Sequence, residues 1–295
     1  MSDQVLMEEP LQFGQNGRLF GILSQPTTPA NGSHALPVFV FLSSGITHRV
    51  GPRRLYVRLA RKLAEIGFTS LRVDLTGKGD SYSNKQLSPE ELLMEDFKDI
   101  VSVLETRQTQ LQLVVCGLCS GADDAIKVTP TDPRVVGMVL LDPVCDRDNG
   151  FKVRDIIHRY TQLARYKRRL KKIFSWHKMF KRSGPEMSDA EAEQLLNPLE
   201  MRDFPSHQQL REAFQLIHQR KGRVFSIFTS YALDYYYNQH GQMERVLGLD
   251  DYKDYCVEHF WPGASHTYSL ETHRARLVEE IKMWATAYIQ IGRTS

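Results

Sequence analysis

The chain has 295 residues, 41% of them hydrophobic and 25% charged, with a net charge of +3. That length suits one large α/β domain, alone or with an inserted subdomain, and the balance is that of an ordinary globular protein rather than a disordered or fibrous one. Four cysteines are too few and too scattered for a disulfide framework, and no second C-x-x-C or histidine pair completes a zinc site. There is no signal-peptide pattern and no apolar run of about 18 residues, so the chain is expected in the cytoplasm, with neither metal nor organic cofactor.

In chain order, Gln15-Asn16-Gly17 between two alternating runs predicts a tight hairpin. Residues 26–37 are rich in Thr, Pro, Gly and Ser and read as a loop. Val38 to Leu42 is continuously apolar, as a strand buried on both faces requires, and ends in Ser43-Ser44-Gly45. A helix follows from about Pro52, then a strand over Thr69–Asp74 leading into a glycine turn, Leu75 to Ser81. Ser88-Pro89-Glu90-Glu91 signals the capped start of a helix running to about Leu104. Val135 to Leu141 is another buried strand. Strand and helix patterns alternate, which implies a mainly parallel, doubly wound sheet.

The most informative stretch lies between those last two elements. Leu113-Val114-Val115-Cys116 reads as a buried strand, and Gly117-Leu118-Cys119-Ser120-Gly121 after it leads directly into a helix-permitting run. A residue forced into a sharp strand-to-helix turn needs small neighbours two positions either side, which Gly117 and Gly121 supply. Cys119 would then stand above the sheet edge at the positive end of a helix, where a thiolate is favoured and an oxyanion can be held. Two other readings use the same residues. Cys116 and Cys119 form a C-x-x-C that a thiol oxidoreductase could use, and Ser120 is a nucleophile one position out of frame.

Alternation stops between Cys145 and Gly222. Residues 153–182 carry eleven Lys and Arg against a single acid, Asp155, with apolar residues at near-helical spacing. Further helices are expected from Ser188 and over Pro205–His218. The chain therefore divides into a core at 1–144, a helical cap at 145–222 and the rest of the core at 223–295. The cationic face of the cap is either simply solvated or a surface for an anionic carrier, such as coenzyme A or an acyl-carrier protein, or for peripheral contact with an anionic membrane. No recognition motif accompanies it that would suggest nucleic acid.

The sheet resumes at Arg223–Thr229, followed by a loop carrying Asp234 among Tyr231, Tyr235, Tyr236 and Tyr237, which could line an acyl pocket. Tyr255–Phe260 is a last strand, and His266 lies in the loop after it. In an open parallel sheet the functional groups gather beyond the carboxyl ends of the strands. A cysteine nucleophile needs a histidine base, and the base needs an acid to fix its tautomer. Cys119, His266 and Asp234 fill those roles in the order nucleophile, acid, histidine, with Asp142 as the alternative acid. Asp123 and Asp124 read as helix residues complementing the dipole. The backbone N–H groups of Ser120 and of Gly45 or Ser44 are the expected oxyanion donors.

These motifs resemble the α/β-hydrolase superfamily across nearly the whole chain: the strand to Ser43-Ser44-Gly45, the Asp74-to-Ser81 turn, the Gly117-to-Gly121 elbow and the late His266. Within it, His48-Arg49-Val50-Gly51-Pro52, the cationic cap and Ser265-His266-Thr267-Tyr268-Ser269 are similar to exosortase-associated hydrolases. The cysteine at the elbow is similar to that of dienelactone hydrolases and polyhydroxyalkanoate synthases. The resemblance implies an α/β-hydrolase fold and a Cys-His-Asp triad. The residues then suggest acyl transfer from an ester or a carrier-bound thioester through an S-acyl intermediate, by a thioesterase or acyltransferase. Simple ester hydrolysis and a noncatalytic binding protein are the alternatives.

Overall fold

A computed structural model of the chain describes residues 6–27, 36–45, 47–82, 86–154, 156 and 202–294. The first two strands, β1 (Leu6–Phe13) and β2 (Leu19–Pro26), form the expected hairpin. Asn16 in the turn has φ 58°, a left-handed conformation that asparagine tolerates better than most residues. Then come β3 (Val38–Leu42), α1 (Leu55–Ala64), β4 (Ser70–Asp74), α2 (Pro89–Glu105), β5 (Leu113–Leu118), α3 (Ser120–Val128) and β6 (Val135–Leu141). Among the described residues the chain continues with α4 (His207–Gln219), β7 (Arg223–Thr229), α5 (Ser230–Tyr235), α6 (Gln242–Leu247), α7 (Tyr252–Tyr255), β8 (Cys256–Trp261) and α8 (Glu271–Thr294).

These strands form one eight-stranded sheet in the order β1-β2-β4-β3-β5-β6-β7-β8. The β1–β2 and β2–β4 pairs are antiparallel and the others parallel, the mixed edge of an otherwise doubly wound sheet. Every residue of β3, β5 and β6 is buried, which is why their sequences are continuously apolar. Side chains still alternate between faces. Val38, Val40, Leu42, Leu113 and Val115 pack in one cluster with residues of α2, α3 and α4. Phe39, Phe41, Val114, Cys116 and Leu118 pack in the other, under α1 and α8.

Helix α2 opens with the expected capping box: the Ser88 hydroxyl accepts from the Glu91 N–H, and the Glu91 carboxylate accepts from the Ser88 N–H at 2.8 Å. The stretch after β7 differs from expectation, because it is the short helix α5 and not a loop. Its first turn is closed by Thr229, whose hydroxyl accepts from the Tyr231 N–H, and no Gly or Pro interrupts residues 230–235. Of the proposed cap, α4 agrees with the helix expected over Pro205–His218. The basic stretch from 157 to 182 and the helix expected at Ser188 lie outside the described residues.

Candidate active site

Cys119 occupies the turn between β5 and α3 with φ 58° and ψ −123°, outside the regions that ordinary side chains favour. The surrounding packing imposes this conformation. The Cys119 N–H donates to the Leu141 carbonyl at 2.8 Å, and its own carbonyl accepts from Ala122 N–H at 2.9 Å, so the residue is fixed from both sides. Gly117 runs directly beneath the first turn of α3: a Cβ there would stand 2.0 Å from the Gly121 backbone. The spacing Gly-x-Cys-x-Gly is therefore the requirement that strand and helix cross this closely.

The loop after β3 forms the opposite wall and is braced by the turn after β4. Leu75 N–H donates to the Ser43 hydroxyl at 3.0 Å and Lys78 Nζ to the Ser43 carbonyl at 3.1 Å. Asp74, fully buried, pairs with Arg49 and accepts from the Arg49 and Asp80 N–H groups. Gly79 is required here because a Cβ would fall 2.1 Å from the Asp74 carboxylate. Gly45 N–H, one of the expected oxyanion donors, is already engaged: it donates to the Ser120 hydroxyl oxygen at 2.9 Å.

His266 lies in the loop between β8 and α8. Its Nδ1 is 2.7 Å from Asp142 Oδ2, and its ring is near enough to Cys119 for the two groups to shift each other's titration. Nδ1–H toward the carboxylate leaves Nε2 for sulfur, the tautomer a base requires. The carboxylate that the imidazole meets is that of Asp142, at the end of β6, whereas Asp234 is exposed on α5. The reason is geometric. Asp142 is completely buried with φ 50°, and its carboxylate accepts from both the N–H and the hydroxyl of Thr229, each at 2.6 Å, before it meets the imidazole. The formation of α5 carries Asp234 away from that position.

The electrostatics follow from these contacts. Burial raises the Cys119 pKa, but the hydrogen bond from His266, the positive charge of Arg202 and the Ser120 N–H outweigh it, so the thiol lies below its ordinary value. Burial disfavours the His266 imidazolium, yet hydrogen bonds to Asp142 and Cys119 raise it to about 9. Both shifts act in the direction of thiolate and imidazolium. Cys116 contrasts with this: it is buried in the core, where desolvation pushes its thiol well up, and all four cysteines are free.

Several groups around the site make contacts that the sequence reading did not give them. Tyr231 stacks on the imidazole, ring centroids 4.1 Å apart and 25° from parallel. Asp123, expected merely to complement the helix dipole, is fully buried and forms a two-point ion pair with Arg202, whose Nη2 also donates to the Asp142 carbonyl at 3.0 Å. Asp124 is 3.7 Å from Lys78 Nζ, and burial raises its pKa to about 6. Arg202 stands 79 residues from Asp123, so only the folded chain reveals the pair.

Sheet order, the strained turn at the end of β5 and a histidine loop after the last strand together define an α/β-hydrolase-fold enzyme. The family model for serine aminopeptidase, S33 (Hydrolase_4) matches residues 39–220, more than half of the sequence. The chain belongs to that family and is a hydrolase. No curated protein matches it. Among solved structures it is similar in fold to Est1E from Butyrivibrio proteoclasticus, with 13% identity, TM-score 0.53, and 95% and 99% of the two chains covered. The esterase Pf2001 from Pyrococcus furiosus aligns at 10% identity with TM-score 0.57, over 96% of this chain and 93% of that one. ATU1826 from Agrobacterium tumefaciens, a protein of unknown function described as a putative α/β hydrolase, aligns at 12% identity with TM-score 0.53, over 96% and 97%.

Proposed function

We propose that this hydrolase is a cysteine-nucleophile acyl-transfer enzyme that acts on an ester or a carrier-bound thioester. One observation carries the reading: Cys119 occupies the strained turn between β5 and α3 and feels the charge of the histidine that Asp142 holds, while the neighbouring Ser120 hydroxyl is engaged by Gly45. The Cys119 thiolate attacks the acyl carbonyl, the C=O electron pair moves to oxygen, and the Ser120 N–H at the positive end of α3 stabilises that oxyanion. As the bond to the leaving group breaks, His266 gives it a proton. The S-acyl enzyme is itself a thioester, so water, an alcohol or an amine, deprotonated by His266, can complete the reaction.

A carrier-bound thioester is the favoured donor, because a lowered thiol pKa suits exchange between thioesters of similar energy. Simple ester hydrolysis is the second reading, and the esterases among the structural neighbours favour it. Intact-mass spectrometry after incubation with acyl-coenzyme A and acyl N-acetylcysteamine thioesters tests the proposal. An acyl mass on wild type that is absent from Cys119→Ala is expected. An adduct that survives in Cys119→Ala and disappears in Ser120→Ala would overturn it.

A further inference from the structure

The contact between Ser120 and Gly45 has a consequence for the reaction, and the following rests on Cys119 being the nucleophile. Ser120 Oγ accepts the Gly45 N–H at 2.9 Å and so sits where a substrate oxygen held by Gly45 would otherwise lie. A serine hydroxyl has one hydrogen to donate. Among the described residues Ser120 gives that hydrogen to no acceptor, although the side chain is only half-buried beside Cys119. Gly45 is itself exposed, and its loop is held by Ser43 against the turn after β4, so the donor behind Ser120 is fixed.

We infer that the Ser120 hydroxyl is a catalytic oxyanion donor, relaying the Gly45 N–H to the substrate oxygen. Ser120 then supplies two donors to one oxygen: its backbone N–H from the start of α3, and its Oγ–H, strengthened because Oγ accepts from Gly45. When the Cys119 sulfur bonds to the acyl carbon, the carbonyl π pair becomes the oxyanion lone pair and both donors point at it. When the tetrahedral species collapses, C=O reforms and the leaving group departs with the His266 proton. The Ser120 proton never leaves its oxygen, so a hydroxyl suffices and no second base is needed. Unlike a backbone N–H, this donor can be removed by substitution.

Two reagents separate this role from a structural one. Methyl methanethiosulfonate reacts with a thiolate at sulfur and has no carbonyl, so its rate reports the state of Cys119 without an oxyanion. Acylation by a butyryl N-acetylcysteamine thioester requires the oxyanion. For Ser120→Ala we expect acylation to fall about 100-fold, mostly in kcat, the usual effect of losing one such donor, with the thiosulfonate rate unchanged. Ser120→Thr, which keeps the hydroxyl, restores most of the acylation rate. Acylation by Ser120→Ala at or above the wild-type rate would overturn the inference, because the released Gly45 N–H would then serve the substrate directly. An equal fall with both reagents would overturn it too, placing Ser120 in the support of the turn. Failure of the underlying reading looks different: wild type would then show neither acylation nor thiosulfonate labelling at Cys119.

Discussion

At Cys119 and His266 the chemistry is decided by which of two opposing effects is larger. Burial would keep both groups neutral, whereas their mutual interaction and the flanking charges of Asp142 and Arg202 favour the ion pair, and the net shift of each group is toward its charged form. The sign for pH follows. On the proposed mechanism, reaction with substrate needs thiolate and imidazolium together, so the rate falls on the acid side only below the depressed thiol pKa. On the alkaline side it falls as His266 loses its proton near 9. In His266→Gln the partner that lowers the thiol pKa is gone while the burial remains. Its methanethiosulfonate rate at pH 6 should drop at least about tenfold and recover toward alkaline pH, following the thiolate fraction. Asp142→Asn should lower kcat by at least about 100-fold, because the wrong tautomer is then favoured, while Asp234→Asn should behave as wild type in the same steady-state assay. The positions of Cys119 and His266 were legible in the sequence because each stands beside local signals, the glycine spacing and the end of a strand. Which carboxylate meets the imidazole was not, since Asp142 and Asp234 both follow strands, and only the folded contacts of Thr229 and His266 with Asp142 distinguish them.

At the level of elements, backbone proximity accounts for the turn. Gly117 on β5 and Gly121 on α3 leave no room for a methyl group between them, and the positive φ of Cys119 depends on that contact. Gly117→Ala would have to push α3 off the strand, at a cost of a few kcal/mol or more. We expect loss of acylation together with a lowered urea midpoint, whereas a defect confined to chemistry would leave the midpoint unchanged. The strands were readable because a fully buried strand must be apolar throughout, and the hairpin because Asn-Gly accepts left-handed backbone. Helix α5 was not readable: Ser230-Tyr231-Ala232-Leu233 has no strong helix signature, and its first turn depends on a threonine that also serves Asp142.

Across the whole molecule, the two apolar faces of the sheet are covered by different helices. One lies under α2, α3 and α4, and the other under α1 and α8, with Cys119 packed against the latter. Trp284 of α8 meets Phe39 of β3 and Phe225 of β7 edge-on, with centroids 6.4 and 6.1 Å apart, so the helix that follows the His266 loop is fastened to the middle of the sheet. Trp284→Ala should cost about 3–5 kcal/mol of unfolding free energy, measurable by urea titration, and should lower activity less than Asp142→Asn does. The mainly parallel, doubly wound character of the sheet was legible from strand–helix alternation. The ion pair between Asp123 and Arg202 was not, because no local pattern links residues that distant.

The position of the acid has a consequence for how such sites are inherited. Cys119 and Asp142 end neighbouring parallel strands joined by a single helix, so one contiguous stretch from 113 to 142 carries both. A genetic exchange spanning that stretch would move Cys119 and Asp142 together, already in register, and a recipient sheet would need to supply only a histidine loop.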